Sequence, residues 1–209
     1  MRLLTCFLLA LAATELAAPA QTPKRAQPAR WLDVTLDRQE GEQWLAAEPG
    51  RVMKKGEHVR FRFKANFAGY VYVVNHGTSG VRALLFPHAD SGMDNTVQPA
   101  KEYRVPSTQA SFRIDGPAGH DQVFWIISPT PMSESEALTL TASPPPEPRL
   151  LPRCDETLMR ARGECVDTKA GPRMISRELT IVQKNETAHV TVTGRLTKPL
   201  LYQFRLAHE

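Results

Sequence analysis

The stretch HVRFRFKANFAG, followed by YVYVV, constrains the fold of this chain more than any other. In it Val59, Phe61 and Phe63 alternate with Arg60, Arg62 and Lys64, which is the two-residue period of a β-strand. Successive side chains of a strand point to opposite faces, so three apolar groups turn inward and three cations turn outward together. After Gly69, the run Tyr70-Val71-Tyr72-Val73-Val74 is apolar on both faces and predicts an interior strand covered on each side.

The same pattern recurs along the chain. Leu32, Val34 and Leu36 alternate with Trp31, Asp33, Thr35 and Asp37, predicting a strand with one buried face. His76-Gly77-Thr78-Ser79-Gly80 reads as a turn and Val81–Phe86 as the returning strand, stopped by Pro87, which has no amide to donate. Residues 88–101 read as a loop rich in turn formers. Further strands are expected at Glu102–Val105, Ala110–Ile114, Gln122–Ser128, Leu138–Thr141, Glu178–Gln183, Ala188–Thr193 and Leu200–Leu206. Seventeen prolines and twelve glycines favour short strands and many turns over long helices. The predicted fold is all-β, an antiparallel two-sheet sandwich, immunoglobulin-like or related, with a disulfide-stapled loop inserted. Tyr202, Phe204 and Leu206 form an apolar face that two strands alone could not bury, so the last strands are expected to complete the sandwich.

The ends and the cysteines bear on compartment. Met1-Arg2, the apolar run from Leu3 to Ala13 and the Ala18-Pro19-Ala20 step have the layout of a secretory signal peptide over residues 1–20, too short to span a membrane. Its removal takes one Arg and one Glu, so the net charge stays at +4. Residues 21–30 read as a polar leader, 31–143 as the sandwich core, 144–175 as a Pro-rich connector with a cysteine loop, and 176–209 as the C-terminal strands. Cys154 and Cys165 remain after cleavage, and an even pair in an exported chain reads as a disulfide. The expected location is periplasmic or extracellular.

Candidate sites are few. Ser79 sits in a glycine-flanked turn next to His76, but the Gly-x-Ser-x-Gly elbow of hydrolases is missing and a hairpin turn explains Gly77 and Gly80. His88, Asp90 and Asp94 do not follow the calcium-loop spacing. His120-Asp121 is an adjacent pair with no nucleophile placed beside it. No catalytic residue, metal ligand or cofactor is therefore assigned. The most specific surface is the basic row Arg60, Arg62 and Lys64 with Lys54 and Lys55 nearby. Like charges on one strand face repel, and an anionic partner would relieve that repulsion. The competing structural reading is protection of an edge strand against aggregation.

With these elements placed, Phe61-Arg62-Phe63, Gly69-Tyr70-Val71-Tyr72, Leu84-Leu85-Phe86-Pro87, Asn95 and Val105-Pro106 form a recognisable series. Over about residues 50–130 the chain resembles the bacterial family catalogued as domain of unknown function 4384. The resemblance implies an accessory domain of exported or signalling proteins and carries over no catalytic residue. It gives structural roles to Gly69, Tyr70, Tyr72 and Pro87.

Taken together, the sequence predicts an exported, non-enzymatic binding or accessory domain. Its partner would be a protein or an anionic envelope polymer, not nucleic acid, met by the basic strand or by the loop from His88 to Lys101. One alternative is a hydrolase or metal-dependent enzyme assembled from Ser79, His76, His88, Asp94 and His120. Another is an inhibitor or assembly subunit that inserts the loop between Cys154 and Cys165 into its partner. Oligomeric state is not legible.

Overall fold

A computed structural model describes residues 29–142, 150–193 and 196–209. The signal and most of the leader expected at 1–28, and the Pro-rich run SPPPEPR at 143–149, lie outside the described residues.

Two antiparallel sheets face each other. The first carries β11 (Leu179–Lys184), β12 (Thr187–Val192), β1 (Arg30–Glu40), β3 (His58–Ala65) and β7 (Glu102–Val105) in that order, with β2 (Gln43–Ala46) beside β1 and β8 (Phe112–Arg113) beside β3. The second runs β10 (Gly171–Met174), β13 (Leu200–His208), β9 (Gly119–Ser128), β4 (Gly69–His76) and β5 (Arg82–Phe86), with β6 (Thr96–Val97) beside β4. The chain is thus the two-sheet antiparallel sandwich that its alternation predicts. The last strands divide between the layers: β11 and β12 extend the first sheet, whereas β13 sits inside the second, paired with both β10 and β9.

The alternating phenylalanines build the core. Trp125 of β9 is fully buried, and Phe61 and Phe63 of β3 meet its ring edge-on from the opposite sheet, each with centroids 5.4 Å apart. Such edge-to-face pairs match the positive rim of one ring to the negative face of the other and add about 0.5–1.5 kcal/mol to the burial itself. Tyr202 of β13 lies against the same indole, and Phe204 meets Phe61.

β4 is interior, as its double apolar pattern predicts. Val71 and Val73 face the main core, while Tyr72 and Val74 belong to a second cluster with Phe124, Ile126 and Ala137 on the sheet's other side. That outer cluster is covered by α1 (Glu134–Leu140). Here the structure overturns a sequence expectation, because Leu138–Thr141 is the end of this helix and not a strand. The deciding signal is Ser133 with Glu136: the Ser133 hydroxyl accepts from the Glu136 amide, and the Glu136 carboxylate accepts from the Ser133 amide. This reciprocal cap starts a helix, and four residues of Leu-Thr alternation are too few to override it.

Four elements were not foreseen, one of them β6, a two-residue strand paired with β4 inside residues 88–101, which the sequence predicts as loop. β2 folds back on β1 through the turn at Gly41; β10 forms within the segment read as connector; and α2 (Glu156–Arg162) stands inside the cysteine loop, between an Asp155 cap and Gly163. The residues shared with the family series have visible structural work. A Cβ at Gly69 would lie 2.8 Å from the Ser128 carbonyl oxygen. Asn95 exchanges backbone and side-chain hydrogen bonds with Val71. Pro87 and Pro106 follow cis peptide bonds immediately after β5 and β7.

Candidate binding surface

The outer face of the first sheet is set by register. Arg60 and Arg62 of β3 stand opposite Asp37 and Thr35 of β1, and Lys64 stands opposite Asp33 on one side and Glu102 of β7 on the other. Arg104 lies across from Arg62, and Lys184 of β11 across from Thr187, itself opposite Thr35. On β7, β3, β1, β12 and β11 the face therefore collects Arg60, Arg62, Lys64, Arg104 and Lys184, five cations, against the three carboxylates Asp33, Asp37 and Glu102.

The cations are not equivalent. Asp37 is 1 % exposed, and Arg62 grips it with Nε donating to Oδ2 at 2.6 Å and Nη2 donating to Oδ1 at 2.8 Å. Arg60 donates to the same Oδ2 at 3.3 Å and lays its guanidinium 4.3 Å from the centre of the Trp44 ring. The Asp37 hydrogen bond holds the Arg62 guanidinium still more firmly protonated than usual. Lys64, Arg104 and Lys184 are exposed.

Both readings of the basic row need revision. The edge-protection reading fails, because β3 is an interior strand flanked by β1 and β7. A bare stripe of mutual repulsion also fails for Arg60 and Arg62, since one buried carboxylate lies between them. The sequence reading missed this because Asp37 sits in the polar phase of β1, where alternation alone predicts exposure. Lys54 and Lys55 do not extend the row: they lie in the turn before β3, where the Lys54 amide bonds Glu57 and the Lys55 ammonium faces Asp115 at 3.5 Å.

The rest of this face is polar and aromatic. His189 pairs with Asp33 and packs against Trp31, ring centroids 5.7 Å apart, while the hydroxyls of Thr35 and Thr187 share a hydrogen bond of 2.8 Å. α1 lies on the opposite layer, over the second sheet.

The turn from Gly77 to Gly80 takes the hairpin form, with Gly80 at φ +86° where L side chains are strained. It rims a cleft of about 460 Å3 together with Asn75, Arg113, Asp115, Gly116 and Asp121. Behind the rim, Asp121 accepts from the Thr78 amide at 2.7 Å, and the buried His208 places Nε2 3.3 Å from Asp121 Oδ1 and 3.4 Å from Thr78 Oγ1. No sequence pattern links these three residues, which lie on three different segments.

The five residues of the enzyme alternative each have separate partners or settings. Ser79 lines the cleft; His76 packs on Phe124 and faces Thr141, with burial and Arg82 lowering its pKa. His88 pairs with Asp90, Asp94 accepts from the Thr96 amide, and His120 pairs with Asp167. Among the described residues, no group of three or more His, Cys, Asp or Glu side chains is placed to hold a metal ion.

The cysteine loop is closed by the Cys154–Cys165 disulfide. Its backbone is zipped onto residues 50–52, through Val52 N to Cys165 O and Asp167 N to Gly50 O, and ion pairs join Glu164 to Arg51 and Arg162 to Glu48.

The architecture defines the class as a disulfide-bearing antiparallel β-sandwich with a capped outer layer on one side and an open charged sheet on the other. Residues 52–131, which span β3 to β9, match the family described as Domain of unknown function (DUF4384), in agreement with the series of motifs in the sequence. No curated protein and no solved structure matches the chain. Among the described residues no helix is long and apolar enough to cross a membrane.

Proposed function

We propose that this chain is an exported, non-catalytic binding domain that meets an anionic partner of the cell envelope through the outer face of its first sheet. The observation that carries the reading is the charge of that face on β7, β3, β1, β12 and β11, five cations to three carboxylates, with Asp37 already consumed between two arginines. An excess of cations spread over one flat surface attracts polyanions and is screened by salt. The disulfide favours a compartment outside the reducing cytoplasm.

The test uses the exposed cations. Reversing Lys64 and Arg104 to Glu leaves the buried Asp37 cluster intact, whereas reversing Arg60 or Arg62 would set a second carboxylate beside Asp37 and damage the fold. Wild type should be retained on a polyanionic matrix and release as salt rises; the Lys64→Glu, Arg104→Glu variant should pass through. Equal retention of both, with both folded by circular dichroism, would remove this face from the binding surface.

A further inference from the structure

We infer that the polyanion this face takes is an acidic polysaccharide, laid lengthwise along β1. The inference rests on the proposed role of the face and adds the chemistry of the partner. Trp31 occupies the outward phase of β1, and Trp44 reaches the same face because it stands directly opposite Gln39, another outward position. Eight residues separate positions 31 and 39, so the two indoles mark the ends of a track roughly 26 Å long at about 3.3 Å per residue.

Between the indoles, the side chains offer what a chain of acidic sugars would use. The His189–Asp33 pair lies next to Trp31, the half-buried Thr187 hydroxyl follows, held from beneath by the buried Thr35, and then come the two guanidinium groups that cover the buried Asp37. Sugar rings present flat C–H faces that pack on indoles and hydroxyls that exchange hydrogen bonds with residues such as Thr187, Asp33 and His189, which are not buried. Their carboxylate or sulfate groups pair with Arg and Lys, whose planar guanidinium suits such oxyanions.

The same face is poorly made for the other envelope polyanions. A lipid surface needs apolar side chains to insert, and Val182 is the one large exposed aliphatic on these strands that shares the face. A protein interface places its apolar anchors at the centre with charge at the rim. Here the order is reversed, with aromatics at the two ends and charge and hydroxyls between them.

The test measures binding of the purified chain to a polyuronate (alginate), to neutral dextran and to poly-glutamate, by affinity electrophoresis and calorimetry. Wild type should bind alginate and poly-glutamate but not dextran. Trp31→Ala and Trp44→Ala should each weaken alginate binding about tenfold, the scale of one lost aromatic contact, and leave poly-glutamate binding unchanged. Trp31→Phe and Trp44→Phe, which keep a ring, should restore alginate binding and guard against misfolding as the cause. If the alanine variants bind alginate as wild type does, the glycan inference is overturned while the polyanion surface stands. If wild type binds neither polyanion, or Lys64→Glu, Arg104→Glu keeps both, the underlying reading fails as well.

Discussion

Arg62 holds both carboxylate oxygens of Asp37, at 2.6 and 2.8 Å, across neighbouring strands of one sheet, and Asp37 is almost wholly removed from solvent. A carboxylate buried this far is stable only while its partners stay. Arg62→Ala should therefore destabilise the chain by about 2 kcal/mol or more, below the 3–5 kcal/mol range for a fully stranded ion because Arg60 remains. Urea unfolding of Arg62→Ala, Asp37→Ala and the double variant checks this. The double variant should be less destabilised than the sum of the singles, and strict additivity would show that the pair is not coupled.

The tie between the sandwich and the cysteine loop should respond to acid. Burial tends to raise the Asp167 carboxyl, but the amides of Lys169 and Arg153 and the His120 ring outweigh it and hold the group below its ordinary value. A carboxyl depressed in the folded state binds its proton more readily when unfolded, so its contribution is present above the unfolded pKa of about 3.9 and is lost as pH falls below it. Thermal midpoints should fall from pH 5 to pH 3 in wild type and fall less steeply in Asp167→Asn. Parallel slopes would deny Asp167 this part.

Removing the disulfide should weaken but not dissolve the fold. The bridge closes a loop with a sequence separation of 11, for which chain entropy gives a stabilisation of about 3 kcal/mol. The backbone bonds of Val52 and Asp167 and the ion pairs of Glu164 and Arg162 persist without it. Cys154→Ser with Cys165→Ser should keep the far-ultraviolet circular dichroism of wild type with a lower melting temperature. Loss of the β spectrum at room temperature would mean that the loop, not the sandwich, organises the chain.

Gly69 should tolerate no side chain. A methyl group there would come within 2.8 Å of a backbone oxygen on β9, and backbone of a central strand cannot give way cheaply. Gly69→Ala should cost about 1–3 kcal/mol, as overpacking does. Gly56→Ala, where the left-handed backbone has open space around it, should cost only about 1 kcal/mol. Denaturant midpoints of the two variants decide the order.

Much of this architecture was legible without coordinates. Alternation of Val59, Phe61 and Phe63 with three cations settled the strand and its inward face, because side-chain direction on a strand depends only on the backbone. The double apolar pattern of Tyr70 to Val74 marked an interior strand, and the glycines around Thr78 and Ser79 marked a hairpin. Leu138 to Thr141 was misread because strand alternation over four residues is weaker than one reciprocal helix cap.

The candidate surface was legible only in part. Residue alternation establishes that Arg60, Arg62 and Lys64 share one face and that two apolar layers must meet, and the cysteine count establishes which cysteines could join. Neither establishes which strands lie beside β3, since pairing register is a relation between segments tens of residues apart. The tertiary structure alone placed Asp37 between two arginines, brought Arg104, Lys184 and Trp44 onto the same face, and set β3 inside its sheet. The reason is physical: the direction of a side chain is a local property of the backbone, whereas its neutralisation and its neighbours are set by the strands packed alongside.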